Sequence, residues 1–164
     1  MGKLYAGTSG WAYPKWKPDF YPAKLAAAKF LGYYSTRLNS VELNYTFRRF
    51  PTEKLLSGWI ASTPADFKFA VKAHQNITHV KRLKDAEEWT SSFLKALAPL
   101  HKAGKLGPVL FQLPSPPQRE SSPIPFTPFE EIAKAVERQV ASWNWQYLAQ
   151  RAVERVLDRE KGRV

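Results

Sequence analysis

Ser40-Val41-Glu42-Leu43-Asn44-Tyr45-Thr46-Phe47 alternates strictly between two sides. Val41, Leu43, Tyr45 and Phe47 fall on one side and Ser40, Glu42, Asn44 and Thr46 on the other. A repeat of two is the period of a strand. Helical patterns flank it, so the stretch reads as an inner strand of an α/β domain, where both faces are covered. A carboxylate and an amide on a covered face are costly unless something pairs with them. The rest of the chain is therefore read for the partners of Glu42 and Asn44.

Upstream, residues 3–9 read as a first strand that ends in Gly7-Thr8-Ser9-Gly10-Trp11. Small residues and hydroxyls there suit a turn whose backbone approaches a ligand. The segment lacks the lysine of a P-loop. Tyr13, Trp16, Phe20 and Tyr21 mark a proline-broken aromatic loop, and residues 23–38 read as a helix with Leu25, Ala28, Leu31, Tyr34 and Leu38 on one stripe. Downstream, Thr52 is placed to cap a short helix carrying Leu55, Leu56, Trp59 and Ile60, which Thr63-Pro64 stops. Residues 66–73 form a third strand in which Phe67, Phe69 and Val71 alternate with Lys68, Ala70 and Lys72. A basic loop spans residues 74–84. Asp85 with Glu88 resembles a capping box, opening a helix that buries Trp89, Phe93, Leu97 and Leu100 and ends near Gly104. Residues 109–113 complete a set of about four strands with intervening helices.

Strands separated by helices are parallel neighbours joined by right-handed crossovers. The fold class is α/β. Its two architectures are an open doubly wound sheet or the first half of a (β/α) barrel of the TIM type. Residues 116–128 are a proline-rich linker. Thr127-Pro128-Phe129-Glu130 starts a long amphipathic C-terminal helix, residues 129–160, with Phe129, Ile132, Val136, Val140 and Trp143 on its stripe.

In a parallel barrel, alternate residues of each strand point inward and the active site lies at the C-terminal strand ends. The alternation sends Ser9, Glu42 with Asn44, Lys72 and Gln112 to that end. Glu42 and Lys72 are the catalytic candidates: an acid or base, and a cation for an anionic substrate. Ser9, Asn44 and Gln112 are orienting groups. A Glu42–Lys72 ion pair with a purely structural role is the competing reading. His79 is a candidate on the loop after the third strand. Lys81, Arg82 and Lys84 beside it are candidates for phosphate or nucleic acid. His74 and His79 lack the spacing of a metal pair, so no metal site is read.

The 164 residues carry a net charge of +11 and no cysteine, which excludes a disulfide framework or thiolate metal site. The charge is uneven: 17 basic against 7 acidic residues up to Ser115, and 8 against 7 beyond. Such an excess favours an anionic small molecule or nucleic acid as partner. Neither a signal peptide nor a membrane span is visible, so a cytoplasmic location without membrane contact is expected. The sequence leaves the cofactor open.

Several motifs occur together and in order. They are Gly7-Thr8-Ser9-Gly10-Trp11, Phe20-Tyr21-Pro22, Val41-Glu42-Leu43-Asn44 with Thr46-Phe47, Phe67 to Lys72, Ile77-Thr78-His79, and Leu106 to Pro114. Over residues 3–115 they resemble the YecE-like family, domain of unknown function 72, whereas residues 116–164 do not resemble it. The resemblance implies a TIM-barrel-like fold of roughly twice this domain's length, but no function. Its motif positions are Ser9, Trp11, Glu42, Asn44, Lys72, His79 and Gln112. Arg48 stands where the family usually has Tyr, and the family's later Glu-x-Arg-His and Ser-Trp segments have no counterpart. The chain is therefore expected to be truncated, frameshifted or fused. Four strands cannot close a barrel, so self-association through open sheet edges is expected. Three functions follow: a barrel fragment with an enzyme-type site for an anionic ligand, a basic nucleic-acid or phosphate-binding module, or an incomplete chain without autonomous activity.

Overall fold

The computed structural model describes residues 4–114 and residue 134. The proline-rich linker and the C-terminal helix expected from the sequence lie outside the described residues. The described part divides into two compact units, residues 4–74 with 96–112, and residues 75–95 with 113–114.

The first unit is built on a parallel sheet of order β1-β2-β3, with β1 at Ser40–Leu43, β2 at Lys68–Lys72 and β3 at Leu106–Leu110. Four helices belong to this unit, α1 Phe30–Tyr34, α2 Tyr45–Arg48, α3 Glu53–Ala61 and α5 Ala98–Lys102, while α4, Glu87–Ala96, falls almost wholly in the second. Val41, Leu43, Phe67, Phe69 and Val71 are buried, so the period-two pattern does set which face enters the core. Thr52 caps α3 as its sequence position implies, its Oγ1 accepting from Leu55 N at 3.2 Å. Gly104, at φ +65°, closes α5. Its N–H donates to His101 O and that of Lys105 to Leu100 O, the paired bonds of a Schellman end.

The expected first strand is not a strand. Residues 4–8 run beside β1 but join it through one bridge, Ser9 with Glu42, and bonds from Ser40 N to Ala6 O and Glu42 N to Thr8 O. Side-chain oxygens occupy the remaining ladder positions. Asn39 Oδ1 accepts from Ala6 N, and the Tyr34 hydroxyl accepts from Thr8 N at 2.8 Å while lying 3.0 Å from Ser40 O. Gly7 is obligatory here, because a Cβ would come within 1.9 Å of Ser40 O. The close approach of the glycine motif is thus to β1.

Two other boundaries move. The helix expected over residues 23–38 is reduced to a 3-10 turn, Ala27–Lys29, and α1. Tyr21 stacks on Phe30 with centroids 4.1 Å apart, whereas a straight helix from residue 23 would carry Phe30 about 10 Å along its axis. The last strand begins at Leu106, three residues earlier than its pattern suggests. One residue of β2 between Phe69 and Val71 faces two of β3 between Leu106 and Val109, so the extra residue bulges at Gly107-Pro108. Gly107 fits beneath Phe69 O, and Pro108 has no N–H to give a ladder.

In the second unit, the expected loop of residues 74–84 contains a π-helical turn, Asn76–Val80. α4 starts at Glu87, so Asp85 is not its cap. Instead Asp85, with Arg82 and Leu83, has positive φ in the turn before it.

Candidate functional site

The 40–47 stretch stops being a strand at Leu43. Asn44 turns to helical backbone (φ −85°, ψ −17°) and α2 follows, so the alternation no longer governs the last four side chains. Tyr45, expected with the core, is 43% exposed, and Thr46, expected with Glu42 and Asn44, is fully buried. The Thr46 hydroxyl proton is shared between Leu43 O at 2.9 Å and Lys72 O at 2.6 Å. It fastens the C-terminal end of β1 to that of β2.

Above this fastening, the register sets two rows of side chains. Ser9, Glu42 and Ala70 are successive partners across the sheet, and Lys72 and Leu110 are partners one step higher. Asn44 follows Leu43 as Lys72 follows Val71, its β2 partner. Asn44 Nδ2 donates to Ser9 Oγ, and Ser9 O accepts from the Tyr13 hydroxyl. Glu42 and Lys72 are half-buried on one face of adjacent strands, yet they form no ion pair. The Lys72 ammonium lies over the Phe47 ring, 4.8 Å from its centroid, and the Arg48 guanidinium carbon is 5.4 Å from the same centroid. Ring faces attract cations, and a half-desolvated ammonium gains from one.

Trp11 is held by protein on two sides. Its ring meets Trp59 edge-on at 5.3 Å, and its carbonyl accepts from the Tyr21 hydroxyl at 2.6 Å. Burial, with Tyr34 nearby, pushes the Tyr21 hydroxyl up to about 12 and keeps it a donor. Gln112 does not join the group. β3 ends at Leu110, and Gln112 is exposed two residues beyond. His79, Lys81, Arg82 and Lys84 belong to the second unit, where His79 Nδ1 is 2.9 Å from Thr78 Oγ1 and Arg82 and Lys84 are exposed. Among the described residues, no three His, Cys, Asp or Glu side chains gather to hold a metal ion.

Strand period misses Phe47 as the ring beneath Lys72, and it does not extend to Arg48, which lies near the same ring. Asn44, a common residue at helix starts, was the available signal. Sequence reasoning also missed Lys105, which is buried and donates to Ile60 O, Thr63 O and Thr63 Oγ1 at 2.7, 2.7 and 2.9 Å. Burial lowers its pKa, and Asp66 opposes that shift. Burial also lowers that of His101, in the last turn of α5.

Fold and site define an α/β domain with parallel strands and a polar group at their C-terminal ends. The chain belongs to the family described as "Protein of unknown function DUF72", which it matches over residues 5–161; the match runs past residue 115 and so corrects the expectation that residues 116–164 are unlike the family. It is 34% identical over 115 residues to the UPF0759 protein YunF of Bacillus subtilis and 30% identical over 112 residues to the UPF0759 protein YecE of Escherichia coli. These alignments cover 68% of this chain but 40% and 38% of those proteins, so the chain spans well under half the length of the curated relatives it matches. A crystal structure of a DUF72 family protein from Thermotoga maritima is similar with a TM-score of 0.67 at 32% identity, over 80% of this chain and 51% of that one. One from Enterococcus faecalis is similar in fold, with a TM-score of 0.64 at 19% identity, over 81% and 47%. Among the described residues, no helix is long and apolar enough to cross a membrane.

Proposed function

We propose that this chain supplies the N-terminal half of a TIM-barrel-like domain, and that its C-terminal strand ends form an enzyme-type site for a small anionic ligand. The observation that carries this reading is the arrangement of Lys72. Its ammonium is half-buried at a strand end, rests on the Phe47 ring, and among the described residues has no carboxylate partner. Arg48 on the same ring adds a second positive charge. Ser9 and Asn44, joined to each other, offer a hydroxyl and an amide on the neighbouring row. Glu42 supplies a group able to take or give a proton. Polar groups converging at the C-terminal ends of parallel strands are where ligands of such folds bind.

Titration of the full chain with inorganic phosphate and small carboxylates, followed by calorimetry, tests the reading. Lys72→Met is expected to weaken anion binding about tenfold or more, the value of one charged hydrogen bond. Binding that is unchanged in Lys72→Met but lost on replacing Lys81, Arg82 and Lys84 together transfers the function to a basic phosphate or nucleic-acid surface in the second unit.

A further inference from the structure

Glu42 and Lys72 have opposite charges, share one face of neighbouring strands and are both half-buried. Side chains so placed commonly pair, because each charge loses hydration and gains a counter-ion. Here they do not. Their positions are diagonal, Glu42 being level with Ala70, two residues before Lys72. From the strand spacing and rise, their Cα atoms lie about 8 Å apart. Two long side chains could bridge that gap. The Lys72 ammonium instead sits on Phe47, on the α2 side, and Ala70, the strand partner of Glu42, has no polar side-chain group to offer the carboxylate. Ser9, the partner of Glu42 on its other flank, accepts from Asn44 Nδ2 at its hydroxyl oxygen and brings no positive charge to the carboxylate. The result is a separated negative and positive charge, neither with a protein counter-ion among the described residues.

Resting on the anion-site reading above, we infer that the ligand of this site is a small zwitterion, a molecule carrying an ammonium and a carboxylate. A simple anion gains from Lys72 but is repelled by Glu42, and a simple amine meets the reverse. A molecule with both charges satisfies both side chains, with its carboxylate at Lys72 and its ammonium at Glu42. Ser9 and Asn44 lie on the same rows and suit the polar atoms between. The arrangement selects against both singly charged analogues, so specificity comes from the repelled charge as much as from the attracted one.

The probes are glycine, 4-aminobutanoate and 6-aminohexanoate, which span a range of charge separations, against butanoate and butylamine. Calorimetric titration of the full chain should find one of the three zwitterions bound at least tenfold more tightly than either singly charged compound. Glu42→Gln should bring butanoate level with that zwitterion, and Lys72→Met should bring butylamine level. Thermal melts of both variants should match the parent, since both residues are half-exposed. If butanoate binds the parent as tightly as every zwitterion and loses affinity in Lys72→Met, the zwitterion inference is overturned and the anion site stands. If no compound binds in a Lys72-dependent way, both fall.

Discussion

Two lysines in the same unit show how differently one fold can treat an ammonium group. Lys105 is 4% exposed, and each of its three protons has an acceptor at the C-terminal end of α3. A cation there also opposes the partial negative charge of the helix end. Lys72 is less buried, and a ring face is its principal contact. The more buried charge is the fully satisfied one, and its chemistry is exhausted by holding α3 to the start of β3. The less buried charge keeps its capacity for an external anion. Depth of burial alone therefore singles out the wrong lysine, and the count of acceptors around the ammonium separates anchor from site.

The contrast can be broken by stability measurements. Lys105→Met should have the largest effect, because it leaves Ile60 O, Thr63 O and the Thr63 hydroxyl without their donor in a buried place. A loss of about 3 kcal/mol is expected, read as a fall in Tm of about 6–12 °C. A melt within a degree or two of the parent would remove the anchor assignment. Thr46→Val should come second. It keeps the side-chain volume but deletes the hydroxyl that ties Leu43 O to Lys72 O, at a cost of about 1–2 kcal/mol. Because that hydroxyl lies under the site, the variant should also weaken anion binding, whereas Lys105→Met, studied below its Tm, should not. Lys72→Met should have the smallest effect, within about 0.5 kcal/mol of the parent. A large destabilisation by this change would make Lys72 a second anchor and dissolve the comparison.

Part of this arrangement was legible in the residues. The alternation in 40–43 and 67–72 identified the buried faces of β1 and β2, and with them the common face of Glu42 and Lys72. The pairing of Ser9 with Glu42 follows from the same period, but the bond of Asn44 to Ser9 forms after the chain has left the strand. Gln112 lies two residues past the end of β3, where the pattern of residues 109–113 reads strand as far as Leu113. Phe47 was assigned to the core face because strict alternation continues through Asn44, while the backbone turns helical there. A two-residue period in the sequence cannot reveal where the chain leaves the strand.

By itself, the sequence determined the α/β class, the parallel strand order of the central pair, the Thr52 and Gly104 helix ends and the family. These rest on local periodicity, capping chemistry and motif identity, all of which act over a few neighbouring residues. Only the tertiary structure decided that the Tyr34 hydroxyl and the Asn39 amide take the place of a first strand's ladder. It also decided that Lys105 is consumed by α3, and that Lys72 sits on Phe47 rather than pairing with Glu42. Those outcomes depend on groups 25 to 45 residues apart competing for the same donors and acceptors, and a linear pattern carries no record of which competitor is nearer in space.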